Sequence, residues 1–278
     1  MPGQLYVVAT PIGNLEDITF RAVRVLKEAV VIACEDTRQT RKLLEHYAIS
    51  TPLVSYHEHN EKERAGELLE RMESGATVAL VTDAGTPLVS DPGYRLVAAA
   101  IEAGITVTPV PGPAAPLAAL AAAGLPTHRF RFLGFLPPKP GRRHALLTEL
   151  GMSDETNILF EAPHRVLETL REIADALGPA RPVVAAREIT KLHEEFVRGT
   201  VAEVRRELAG RPSLKGEFTI LIGPTVEGSP PPPETVDYRQ ELEILLSQGV
   251  ARMDGVKQLA RRYGLGKRDV YRLLEQRS

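Results

Sequence analysis

Hydrophobic and polar positions come in alternating blocks along the first 124 residues. Leu5–Ala9 is a short, nearly continuous apolar run, as expected of a strand buried on both faces. Phe20, Val23, Leu26 and Val30 recur at helical spacing and lead into a second apolar run, Val30–Cys34. Thr37 can cap a helix carrying Leu43, Leu44 and Tyr47, and Leu53–Tyr56 reads as the next strand. Asn60 and Glu63 have capping-box spacing for a helix that ends at Gly75. Next come a strand, Thr77–Val81, and a helix, Pro92–Ala103, with Asp91 as N-cap and Pro92 at its first position. A strand at Ile105–Val110 and an alanine-rich helix, Ala114–Ala123, complete this part. Apolar strands separated by amphipathic helices predict a parallel sheet with helices on both faces.

Gly124-Leu125-Pro126 reads as a boundary, and the pattern changes beyond it. Strands are predicted at Phe130–Phe135, Ile158–Phe160, Val183–Arg187, Glu195–Arg198 and Glu217–Ile222. Helices are predicted at Arg143–Leu150, Arg165–Leu177 and from Val201. Short connections between strands imply a mixed sheet and a second α/β lobe. The run Gly228 to Pro233 can form neither helix nor sheet and is a semi-rigid linker. Tyr238 to Arg277 reads as helical throughout. The expected organisation is an α/β lobe over 1–124, a second over 125–224, a proline-rich linker over 225–237 and a helical tail over 238–278.

Composition narrows the function classes. The chain has 278 residues, 43% of them hydrophobic and 25% charged, as in a globular protein with a real core. A net charge of −2 gives no overall attraction to nucleic acid or membrane, so any basic surface is local. The single cysteine, Cys34, rules out an internal disulfide and fits a reducing cytoplasm. No apolar run approaches membrane-span length, and Pro2-Gly3-Gln4 before a strand is not a signal peptide. A cytoplasmic protein without membrane contact is expected.

Four loops share one topological position, the carboxyl end of a parallel strand: Thr10–Asn14, Glu35–Arg38, Asp83–Gly93 and Pro111–Ala114. Ligands dock there in open α/β sheets. The loops are small and rich in glycine and proline, so a ligand can reach the main chain. Neither a phosphate loop nor a dinucleotide glycine fingerprint is present, which argues against ATP and NAD. Glu35, Asp36 and Arg38 lie at this sheet mouth, where they either cap a helix and meet solvent or orient a polar substrate. Glu161 to Arg165 and Arg187 to Lys191 place charge directly after buried strands, which is costly outside an edge or a site. The loop Leu136 to Arg143 sets three cations among stiff prolines, suiting a phosphate clamp. His57-Glu58-His59 lacks nearby further ligands, and no metal is expected. In the tail, Ala260, Gly264, Val270 and Leu273 match a helix-turn-helix, and nine Lys or Arg stand against five Asp or Glu.

Taken together, these segments resemble the tetrapyrrole methylase superfamily of S-adenosylmethionine-dependent methyltransferases. Within it they resemble the bacterial branch that methylates the ribose 2′-hydroxyl of a cytidine in 16S rRNA. The resemblance rests on LYVVATPIGNLEDITFRA, CEDTRQTRKLL, SYHEHNE, VTDAGTPLVSDPG, PVPGPAA, FLGFLPPKPGRR, FEAPHR, REITKLHEEFVRGT and KGEFTILIG, across most of residues 5–223. Ala114 is a departure, since the family often has serine there. The resemblance implies a bilobed fold, a homodimer, and S-adenosyl-L-methionine bound between the lobes. By position, Pro11, Gly85, Thr86, Val89, Pro113 and Ala114 would contact the cofactor from one lobe, and Ala162, Ala186 and Thr219 from the other. Asp36 and Glu188 are candidate bases, with Arg38 and Lys191 stabilising developing charge or holding phosphate. Lys139, Arg142, Arg143, His164, Arg165, Arg261, Lys267 and Arg268 would grip RNA of the small ribosomal subunit. Two other readings stay open: methylation of a corrin or porphyrin ring, and a helix-turn-helix regulator that senses a metabolite.

Overall fold

The computed structural model describes residues 3–151, 153–224, 238–247, 250–262, 270–271 and 274. Its first lobe contains strands β1 (Gln4–Val8), β2 (Val31–Cys34), β3 (Leu53–Ser55), β4 (Thr77–Leu80) and β5 (Thr106–Val110). They form one parallel sheet in the order β3-β2-β4-β1-β5. The apolar strands β2 and β4 are interior, whereas β5, interrupted by Pro109, takes an edge. A proline removes a ladder donor, so an edge is where it does least harm.

Helices α1 (Phe20–Glu28) and α2 (Thr37–His46) bring Leu26 and Leu44 into a core with Ile32, Cys34 and Ala79. Helices α3 (Glu61–Glu73) and α4 (Tyr94–Glu102) bring Leu68 and Leu96 into a second core, with Leu5, Ala33 and Leu80. Neighbouring residues of one strand therefore serve different cores, which is why these strands are continuously apolar.

The second lobe is the expected mixed sheet, β6-β7-β10-β8-β9, made of Phe130–Phe135, Thr156–Glu161, Phe218–Ile222, Pro182–Arg187 and Glu195–Thr200. Only β6 and β7 run parallel; the remaining pairs are antiparallel. Helices α6 (Pro140–Leu150), α7 (Val166–Leu177) and α8 (Val201–Ala209) cover one face. Thr200 and Glu203 start α8 with a reciprocal capping box. The other face is covered from across the chain boundary. Helix α5 (Ala115–Ala123) packs Ala119, Leu120 and Ala123 against Ile158, Val184 and Leu221. Arg198 of β9 then donates to the carbonyls of Ala122 and Ala123 at the end of α5, supplying partners for orphan C-terminal acceptors. By sequence α5 lies in the first lobe; by packing it is shared.

Local details depart from the sequence reading at three helix starts. Helix α4 begins at Tyr94 with Gly93 as N-cap at φ 141°, so Asp91 does not cap it and Pro92 precedes it. Asn60 makes no cap bond to α3; it accepts from the His57 N–H and donates to the Ser55 carbonyl. Helix α6 begins at Pro140 rather than at Arg143, so Arg142 stands on the helix and not in the loop before it.

In the tail, α9 (Tyr238–Ser247) and α10 (Arg252–Arg262) are separate helices, with Val250 and Ala251 outside both. Their apolar residues form a core of their own, which Val270 and Leu274 join. Linker residues 225–237, together with Gly264, Lys267, Arg268 and Leu273, lie outside the described residues, as does the side chain of Arg261.

Candidate active site

The first-lobe rim is tied together by short polar bonds. Thr10 and Gly85 exchange backbone hydrogen bonds of 2.9 and 3.1 Å, joining the loops after β1 and β4. The buried Thr10 hydroxyl donates to the Thr82 carbonyl at 3.1 Å. Thr86 Oγ1 donates to the Pro113 carbonyl at 3.1 Å, joining the loops after β4 and β5. Gly85 has φ 90°, and the non-glycine residues Leu88 and Ser90 have φ of 71° and 70°. Left-handed backbone at non-glycine residues costs energy and tends to occur where a loop is fixed for a task.

Between the lobes lies a cleft of about 350 Å³, the size range of small-molecule sites. Gly85, Thr86, Val89 and Ala114 line it from the first lobe, and Ala162 and Thr219 from the second, as the resemblance implied. Three residues named with them do not. Ala186 is fully buried beside Thr219 in the sheet, and Pro11 stands off the wall. Pro113 contributes indirectly, through the carbonyl that holds Thr86. Ile12 and Asp91, from loops expected at the sheet mouth, also line it, whereas sequence reasoning missed Phe135, Phe160 and Glu217 as walls. The ring centroids of Phe135 and Phe160 are 5.6 Å apart. Their spacing from the glycine-rich loops carried no signal, because the two lobes come together only in the fold.

Charged residues around the cleft are mostly paired. Asp36 caps α2 through Oδ1, which accepts from the Arg38 N–H, and takes the Arg38 guanidinium in a fork of 3.1 and 2.7 Å. These Arg38 bonds hold the Asp36 pKa down at about 2, making it a weak proton acceptor. The Asp36 N–H donates to Asp83 Oδ1 at 3.0 Å, fastening this loop to the β4 loop. Glu188, at φ 52°, accepts from Lys191 Nζ at 2.9 Å and from the Glu217 N–H at 3.0 Å. Lys191 foremost keeps the Glu188 pKa low. Burial works against the charge on Lys191, but its bonds to Glu188 and Glu217 outweigh it, and its pKa is raised. The Lys191 stem also lies where a side chain on Gly13 would be, so this ion pair abuts the first lobe.

Of the expected RNA contacts, Lys139, Arg142 and His164 are exposed, and Arg165 is half-buried, 3.8 Å from Glu161. Arg143 is a correction. It is 7% exposed, donates to both oxygens of Glu172 at 2.6 and 2.7 Å, and reaches the carbonyls of Pro137 and Pro138. It anchors the loop from within and is not available to RNA. His57 and His59 have ring centroids 5.8 Å apart.

The sequence profile of the family described as Tetrapyrrole (Corrin/Porphyrin) Methylases matches residues 4–205. The chain belongs to this family. The Ribosomal RNA small subunit methyltransferase I of Halalkalibacterium halodurans is 47% identical, over 99% of this chain and 95% of its own length. Its namesake in Synechocystis sp. is 48% identical, over 98% and 97%. Among solved structures, the methyltransferase CobJ superposes with a TM-score of 0.61 at 22% identity, covering 80% of this chain and 95% of its own. A Thermus thermophilus uroporphyrin-III C-methyltransferase complexed with S-adenosyl homocysteine gives 0.55 at 24%, over 79% and 97%. Membership makes the chain a methyltransferase, and the structural matches fit its two-lobed architecture. No described helix is long and apolar enough to cross a membrane.

Proposed function

We propose that this methyltransferase transfers a methyl group from S-adenosyl-L-methionine to the ribose 2′-hydroxyl of a cytidine in 16S rRNA of the small ribosomal subunit. One observation carries the reading. The cleft is walled by small residues and main chain on one side, and exposed cations stand on the loops and helix starts nearby. Near-full-length relatives named for the small-subunit rRNA support the substrate.

The walls fit the donor. Gly85, Ala114 and Ala162 leave room for an adenosine, and Phe135 and Phe160 offer apolar faces for its ring. Asp91 and Glu217 supply negative charge suited to a cation. When bound, the donor supplies a methyl group already activated on sulfonium sulfur. The chain's own task is to align the acceptor oxygen, exclude water and take a proton. Asp36 and Glu188 hold Arg38 and Lys191 in fixed positions, where they can meet phosphates beside the target ribose. Lys139, Arg142 and His164 extend that contact, and the tail, with Arg261, Lys267 and Arg268, adds basic charge. Two copies would work as a homodimer in the cytoplasm; Phe20 and Leu192, 98% and 92% exposed, offer apolar surface for such pairing.

The test is incubation with labelled methyl donor and unmodified small ribosomal subunits, followed by nucleoside mapping. Label in 2′-O-methylcytidine is the expected result. Label appearing only in an added corrin or porphyrin would replace this substrate with a tetrapyrrole. Donor binding without any methyl transfer would favour a metabolite-sensing regulator.

A further inference from the structure

Three carboxylates line the cleft: Asp91, Glu161 and Glu217. Glu161 is 3% exposed and its oxygens are occupied, Oε1 by the Ala162 N–H and Oε2 by the Thr169 hydroxyl. Glu217 accepts from Lys191 Nζ at 3.0 Å. Asp91 has no ion-pair partner among the described residues, and no backbone N–H, lysine or arginine there donates to it. Gly93 starts α4, so the Asp91 carboxylate is not consumed as a helix cap. The charged groups acting on Asp91 within its own lobe are Asp83 and Glu35, and the Thr82 hydroxyl lies in the same group of residues. That hydroxyl is buried without a well-formed hydrogen bond. Glu161 and Glu217 face the same cleft from the second lobe.

We propose that Asp91 is the proton acceptor of methyl transfer, an assignment that rests on the reading of this cleft as the donor and ribose site. As the new C–O bond forms, the S–C bond breaks with its electron pair left on sulfur, and the 2′-hydroxyl proton passes to an Asp91 oxygen. The positive sulfonium and the negative carboxylate are both neutralised in one step, so charge balances within the cleft. Burial is the main influence on Asp91 and raises its pKa; Thr82 opposes this, and the charge of Asp83 adds to it. A carboxylate with raised proton affinity is a better acceptor than one held in a guanidinium fork, as Asp36 is. The cost of ionising Asp91 falls on stability: the ionised form is disfavoured in the folded state, so folding weakens as pH rises from the unfolded toward the folded pKa.

The experiment uses the full chain with small ribosomal subunits and the Asp91→Asn and Asp91→Glu variants. Asp91→Asn is expected to lower turnover by about 10²-fold or more while calorimetric binding of S-adenosylhomocysteine persists, with Asp91→Glu recovering part of the loss. In the free protein, Asp91→Asn should raise the melting temperature at neutral pH, and that gain should fade as pH drops through and below the unfolded-state pKa of about 3.9. Wild-type turnover in Asp91→Asn would overturn the assignment alone. Failure of the wild-type chain to bind S-adenosylhomocysteine would overturn the cleft reading and this assignment with it.

Discussion

The two sides of the cleft are held in shape by different forces. On the first lobe, loops are joined chiefly through main chain and small hydroxyls, as between Thr10 and Gly85 and between Thr86 and Pro113, with one main-chain bond to the Asp83 carboxylate. On the second, the ion pairs Glu188–Lys191–Glu217 and Arg143–Glu172 do the fastening. Hydrogen bonds between neutral groups are insensitive to pH and only weakly sensitive to salt, whereas half-exposed ion pairs respond to both. A donor seated against the first wall therefore meets a backbone of constant shape, with Asp91 as a titratable group on it. The fastening of the second wall responds to pH and salt, and contact with a polyanion falls to exposed cations beside it, Lys139 and Arg142.

The largest effect that would test this contrast lies at the buried end of the charged side. Arg143→Ala leaves Glu172 without its partner and should lower unfolding stability by about 3 kcal/mol, measured by denaturant titration. Replacing both, as Arg143→Met with Glu172→Leu, should recover most of it. On the main-chain side, Gly93→Ala puts a side chain at φ 141° with its Cβ 2.9 Å from Leu80. It should cost about 2 kcal/mol and weaken calorimetric binding of S-adenosylhomocysteine. Thr86→Val removes one hydrogen bond, worth about 1 kcal/mol; the binding loss should be the same at low and high salt. If that loss faded with salt, the contrast would fail.

Smaller effects belong to the exposed cations. Lys139→Gln and Arg142→Gln should each reduce the slope of RNA affinity against salt by about 1, read by filter binding across a salt series. Lys191→Met should cost under about 1 kcal/mol at neutral pH. The Glu188 pKa is lowered below its ordinary 4.5, so this stabilisation is complete above that value and lost as pH falls through the folded one. Wild type and variant should then converge in acid, as followed by thermal unfolding at a series of pH values.

The strands and most helices were legible because burial on both faces leaves long apolar runs such as Val31–Cys34, and amphipathic helices mark the spaces between them. The loops of the glycine-rich first wall were legible for the same local reason, since they follow strands, whereas Gly85, Thr86, Val89 and Ala114 as individual contacts came from the family resemblance. Arg143 was not. Its partner Glu172 is 29 residues away, and an arginine beside prolines looks like surface until α6 and α7 pack. Asp91 was misread as a cap because Asp-Pro is a strong helix-start signal, and only the backbone at Gly93 releases it. Glu188 and Thr190 have φ of 52° and 67°, a strain that no residue type there announces.

The shared helix α5 makes the two lobes partners in folding as well as in binding. A chain cut after Gly124 would leave one fragment with an apolar rod and the other with a sheet face stripped of its cover. Neither half is expected to stay soluble by itself, yet their fit is specific. Co-expressed, the halves should reassemble across that seam, which makes Gly124 a natural place for a split-protein reporter.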